Sequence, residues 1–96
     1  VSVVEITTFR LADDAEEAAF LAADKVVQTE LVPNQPGFMR RTTARRGRHV
    51  VVVTLWGRKV DAAAFETVAK GHPIQVAFES HLDAASISTS RYETLD

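Results

Sequence analysis

From Val3 to Leu11 the side chains fall into two alternating sets, Val3, Glu5, Thr7 and Phe9 on one face and Val4, Ile6 and Thr8 on the other. A period of two predicts a strand. The period then changes: Ala19, Phe20, Ala23, Val27 and Leu31 recur at steps of three and four, the stripe of an amphipathic helix, while Glu17, Asp24, Lys25 and Gln28 fall mostly off it. Within Asp13-Asp14-Ala15-Glu16-Glu17, an aspartate followed three residues later by a glutamate predicts a capping box at the positive end of that helix. Pro33-Asn34-Gln35-Pro36-Gly37 stops it, because proline lacks the amide donor and glycine supplies unusual backbone angles.

Phe38 to Arg45 and His49 to Trp56 read as two more strands, joined through the compact turn Arg46-Gly47-Arg48 into a hairpin. Val50-Val51-Val52-Val53 is apolar on both faces, so something packs on each side of this strand. Asp61 suits the cap of a helix carrying Ala62, Phe65, Val68 and Ala69, which Gly71 ends. Pro73 suits the first turn of a further short helix with Ile74, Ala77, Phe78, His81 and Leu82 on one face. Ala85 to Glu93 reads as a polar fourth strand.

The element order is therefore strand, helix, strand, strand, helix pair, strand. It predicts an α+β fold, the ferredoxin-like βαββαβ arrangement, with both helical layers on one face of a four-stranded antiparallel sheet. The other face then carries Val4, Ile6 and half of the valines of the third strand, an apolar area that a small monomer rarely exposes. A second copy covering it predicts a homodimer with two-fold symmetry, its two sheets face to face.

Composition narrows the function classes. Ninety-six residues, 46% hydrophobic and 25% charged, predict one globular domain over 1–96, and no apolar run is long enough to cross a bilayer. The N-terminal stretch lacks the pattern of a signal peptide, so the expectation is a cytoplasmic protein with no membrane partner. Without cysteine there is no disulfide framework, thiolate metal site or cysteine nucleophile. A net charge of -2 argues against a general nucleic-acid binder. Arg40, Arg41, Arg45, Arg46 and Arg48 do cluster on the second strand and its turn, but the third strand lacks the aromatic platform of an RNA-recognition domain. Charges that keep an edge strand from pairing with other molecules explain the cluster better, though some of these arginines can bind an anionic substrate group.

Val3-Val4-Glu5-Ile6, the long helix, the Pro36-Gly37-Phe38 turn and Val53-Thr54-Leu55-Trp56 followed by a helix resemble the antibiotic biosynthesis monooxygenase family over nearly the whole chain. The resemblance implies a dimeric α+β barrel of ferredoxin-like protomers. It also implies a cofactor-independent monooxygenase acting on an aromatic or polycyclic substrate, with a ligand cavity inside each protomer between sheet and helices. Haem-degrading relatives use an Asn on the first strand and a Trp in the second helical region, where this chain has Thr7 and Phe65, so haem chemistry is not implied. The alternative is a non-catalytic ligand-binding or structural dimer.

If Val3, Glu5, Thr7 and Phe9 face that cavity, burial favours the neutral carboxyl of Glu5 and suits it to accept a proton from a phenolic substrate. The competing role is an ion pair with an arginine on a neighbouring strand. His72, in Gly71-His72-Pro73, is the second candidate acid or base, against a local capping role. Thr7 and Trp56 are candidate donors to a developing oxyanion, and Trp56 offers a flat face for stacking, against a place in the core. Phe9 and His81 complete the candidate substrate-binding set. His72 and His81 have no obvious third partner, so no metal is expected, and no cofactor.

Overall fold

The computed structural model describes residues 1–95. Four strands, β1 (Val3–Arg10), β2 (Phe38–Arg46), β3 (His49–Trp56) and β4 (Ser88–Glu93), form one antiparallel sheet in the order β2-β3-β1-β4. This is the ferredoxin-like arrangement that the element order predicts, with β2 and β4 at the edges. Three helices, α1 (Glu17–Val26), α2 (Lys59–Ala69) and α3 (Pro73–Glu79), occupy the two crossovers.

Strand parity follows from burial. Val3, Phe9, Val50, Val52 and Trp56 are buried on the face that meets the helices, where Phe20 of α1 and Phe78 of α3 close over Phe9. Val4, Ile6, Val51, Val53 and Leu55 point the other way and are only half-buried in the single chain. Tight turns set the hairpin: β2 runs one residue further than expected, to Arg46, leaving Gly47 at φ +60° and Arg48 to reverse the chain.

Three local expectations are corrected. No capping box forms, because α1 begins only at Glu17 and no side chain caps it. Asp13 and Asp14 lie in a preceding turn whose carbonyls, those of Ala12 and Ala15, accept instead from the Arg48 guanidinium. The apolar stripe continues past α1 through one π-helical turn, Val27–Leu31, which keeps Val27 and Leu31 in the core. Asp61 is not a cap either: α2 starts at Lys59, and Asp61 is buried in its first turn, accepting from Arg58 Nε and Nη2 at 3.2 and 3.0 Å. The fourth strand starts at Ser88 rather than Ala85, because Asp83 accepts from the Ala85 amide and winds Ala84–Ser86 into a 3-10 turn.

Candidate functional site

A cavity of about 230 Å³ lies between the sheet and the helices. Register decides what paves it. Arg41 of β2 pairs with Thr54 of β3, Thr54 with Glu5 of β1, and Glu5 with Arg91 of β4, so these four side chains form one row across the helix-facing side of the sheet. The next row, Val52, Thr7 and Thr89, completes the floor, with Thr7 and Thr89 hydroxyls 2.9 Å apart. Phe65 and Glu66 of α2 and Phe78 and Glu79 of α3 supply the walls.

The polar row deepens from one edge of the sheet to the other. Side-chain exposure falls from 30% at Arg91 through 15% at Glu5 to 4% at Arg41. At the outer end, Arg91 donates from Nε to Glu5 at 2.7 Å and from Nη2 to the exposed Glu66 at 2.9 Å. The hydrogen bond to Glu5 is the largest influence holding the Arg91 guanidinium above its ordinary value. At the inner end, Arg41 reaches Asp24 of α1 at 2.9 Å and Gln28 at 3.2 Å, with its guanidinium 5.6 Å from the Phe78 ring centre. Burial pulls Arg41 below its ordinary value, and Asp24 acts in the opposite sense.

Of the residues singled out from sequence, Glu5, Thr7 and Phe9 line this cavity together. Trp56 stands outside its lining, fully buried between Phe38 and Phe65, with ring centres 5.9 and 5.2 Å away. Its Nε1 has no acceptor. His72 is the cap of α3, its Nδ1 accepting from the Ile74 amide at 3.1 Å, and also lies outside the lining. His81 is half-buried beyond the cavity, its carbonyl accepting from the Ala12 amide. Among the described residues no group of three or more His, Asp and Glu converges on a point that could hold a metal ion.

Sequence reading missed Arg41, which belongs to the cavity rather than to the edge cluster. Its parity with Thr43 and Arg45, opposite to Arg40 and Thr42, is the signal that separates it. Asp24 of α1 and Gln28 of the π-helical turn, four residues apart and off the apolar stripe, both turn toward β2 and meet Arg41 there. Arg91 and Thr89, on the strand read only as polar, are the other two.

No protein-family model matches the chain, and no curated protein matches it. Solved structures do. The fold of SnoaB, a cofactor-independent oxygenase from Streptomyces nogalater, seen in its N63A mutant, superposes with a TM-score of 0.76 at 16% identity, over 99% of this chain and 94% of that one. The chain shares the fold of antibiotic biosynthesis monooxygenase-like proteins. A candidate antibiotic biosynthesis monooxygenase from Bordetella bronchiseptica gives a TM-score of 0.80 at 14% identity, over 99% and 98% of the two chains. A dimeric protein of unknown function with a ferredoxin-like fold, from Bacteroides fragilis, gives 0.66 at 16% identity, over 97% and 96%.

Proposed function

We propose that this chain is a single small-molecule domain that works as a cofactor-independent monooxygenase on a compact aromatic substrate, as a homodimer. The observation that carries the reading is the cavity itself, a partly enclosed space with aromatic walls and a carboxylate on its floor. At about 230 Å³ it falls below the roughly 300–1,000 Å³ of drug-sized sites, so it favours one or two rings over a larger polycycle.

Glu5 is the candidate base. Arg91 holds its carboxylate in place, and removal of a proton from an activated methylene or phenol leaves an electron-rich carbanion or phenolate. Electron transfer to dioxygen and recombination form a carbon–oxygen bond. Loss of water then converts the methylene, or the ring C–H para to the phenolate oxygen, to a carbonyl, one oxygen atom staying in the product and the other leaving as water. Arg91 and the Thr7 hydroxyl are the nearby donors for the developing oxyanion. The two-fold partner covers the half-buried outer face formed by Val4, Ile6, Val51, Val53 and Leu55. The Bacteroides neighbour, described as dimeric, supports this arrangement.

The experiment is oxygen uptake by the purified protein with a panel of one- to three-ring phenols and anthrones, with no cofactor added. Uptake that Glu5→Gln abolishes is the expected result. Binding without uptake across the panel favours the second reading, a non-catalytic ligand-binding dimer, for which the closed Glu5–Arg91 pair is the supporting observation.

A further inference from the structure

Arg41 is charged, buried and incompletely used. Both of its polar contacts, to Asp24 and to Gln28, leave from Nη1. Among the described residues Trp56 Nε1 is the one fully enclosed side-chain nitrogen or oxygen without a partner, so the Nε and Nη2 edge of Arg41 is not sealed inside protein. Arg41 is among the residues that line the cavity. Its Nε and Nη2 edge carries the parallel pair of donors matching the two oxygens of a carboxylate. Phe78 supports the guanidinium from one side, and Asp24, itself held by Thr43 at 2.8 Å, fixes it from another.

We infer that the cavity takes a one- or two-ring aromatic acid whose carboxylate sits on the Nε and Nη2 edge of Arg41 at the closed inner end, leaving the ring between Phe65 and Phe78. The inference deepens the proposed function and rests on the same cavity. Two sheet spacings separate β1 from β2, so the Glu5 and Arg41 backbones stand roughly 10 Å apart. A ring anchored on Arg41 therefore presents its far edge to Glu5, with Thr54 between them. Arg41 is a binding residue in this scheme, and the acid group decides which edge of the ring meets the base.

Calorimetric titration with 2-naphthoate and with 2-naphthamide, two probes of the same shape that differ in charge, tests it. The acid is expected to bind wild type about tenfold more tightly than the amide, or better, and Arg41→Gln is expected to bring the two near parity. Arg41→Lys, which keeps the charge but loses the fork, is expected to fall between. Should Arg41→Gln not fold, the Arg41 Nε–H resonance of wild type decides, since naphthoate is expected to shift it and naphthamide to leave it in place. Equal binding of acid and amide, no binding of either at millimolar concentration, or a preference that survives in folded Arg41→Gln overturns the inference. Acid preference without oxygen uptake sinks only the oxygenase reading. Uptake on neutral aromatics without acid preference sinks only this one.

Discussion

Arg91 and Glu5 meet across the β1–β4 pairing with Nε 2.7 Å from Oε2, and the same guanidinium reaches Glu66 on α2. One side chain thus ties the edge strand to its neighbour and to the helix above. A double-mutant cycle with Glu5→Ala and Arg91→Ala is expected to give a coupling of about 1 kcal/mol, the upper end for a pair that water still reaches. The hydrogen bond to Glu5 raises Arg91 above its ordinary value. A cation raised on folding contributes fully below its unfolded value and loses that contribution only as pH rises through the folded one. For arginine both lie far above neutral pH, so the Arg91 contribution is expected to be equal at about pH 7 and about pH 9. Urea denaturation of the four proteins at both values checks it, and a coupling that halves by the higher pH contradicts it.

Phe9, Phe20 and Phe78 form a three-ring cluster with centres 5.5 to 5.9 Å apart, which joins β1, α1 and α3 beside the cavity. Phe20→Ala removes the ring of a fully buried side chain and is expected to cost about 3–5 kcal/mol, a large part of the stability of a domain this small. Phe20→Leu refills most of the space and is expected to cost under about 1.5 kcal/mol. Comparable denaturation midpoints for the two variants are the outcome that contradicts this account.

How much of this was legible in the sequence depends on whether the signal was local. β1 and β3 were readable because alternation in Val3–Phe9 and the valine run at 50–53 are properties of one segment. The π-helical turn was not, since Val27 and Leu31 keep the same spacing whether the turn is regular or wide. Asp13 and Asp61 show the same limit in reverse. Each carries a capping side chain at a plausible place, yet Arg48 takes the carbonyls beside the first and Arg58 takes the carboxylate of the second. Glu5 and Thr7 were found through strand parity. Parity within β2 separates Arg41 from Arg40, but placing Arg41 and Arg91 in one row with Glu5 needs the register of three strand pairs, which no single segment contains.

Gly37 has φ +77°, and a side chain there meets the buried Asp61 carboxylate, whereas Gly47 at φ +60° faces open space. Both positions penalise alanine through the backbone, by about 1–2 kcal/mol. Only Gly37 adds a collision, with a group that Arg58 holds in place. Gly37→Ala is therefore expected to be less stable than Gly47→Ala by about 2 kcal/mol. Thermal unfolding of the two variants side by side measures the difference, and equal losses would mean that Asp61 moves aside freely.

Ile6 and Val53 pair directly at the centre of the outer sheet face, with Val4, Leu55 and Val51 around them. Side chains on this face do not touch the helix-side core, so Val53→Lys places a charge in the proposed contact between copies without removing a core group. Size-exclusion chromatography with light scattering is expected to show a dimer for wild type and a monomer for Val53→Lys, with circular dichroism unchanged. A monomeric wild type removes the partner-sheet argument, and a dimeric Val53→Lys moves the contact elsewhere. The same variant also separates assembly from the site. Its cavity lies on the opposite side of the sheet, so 2-naphthoate affinity is expected to stay within about twofold of wild type, as for independent positions. A larger loss on dissociation would mean that the second copy holds the sheet, and with it the Arg41-to-Arg91 row, in its binding form.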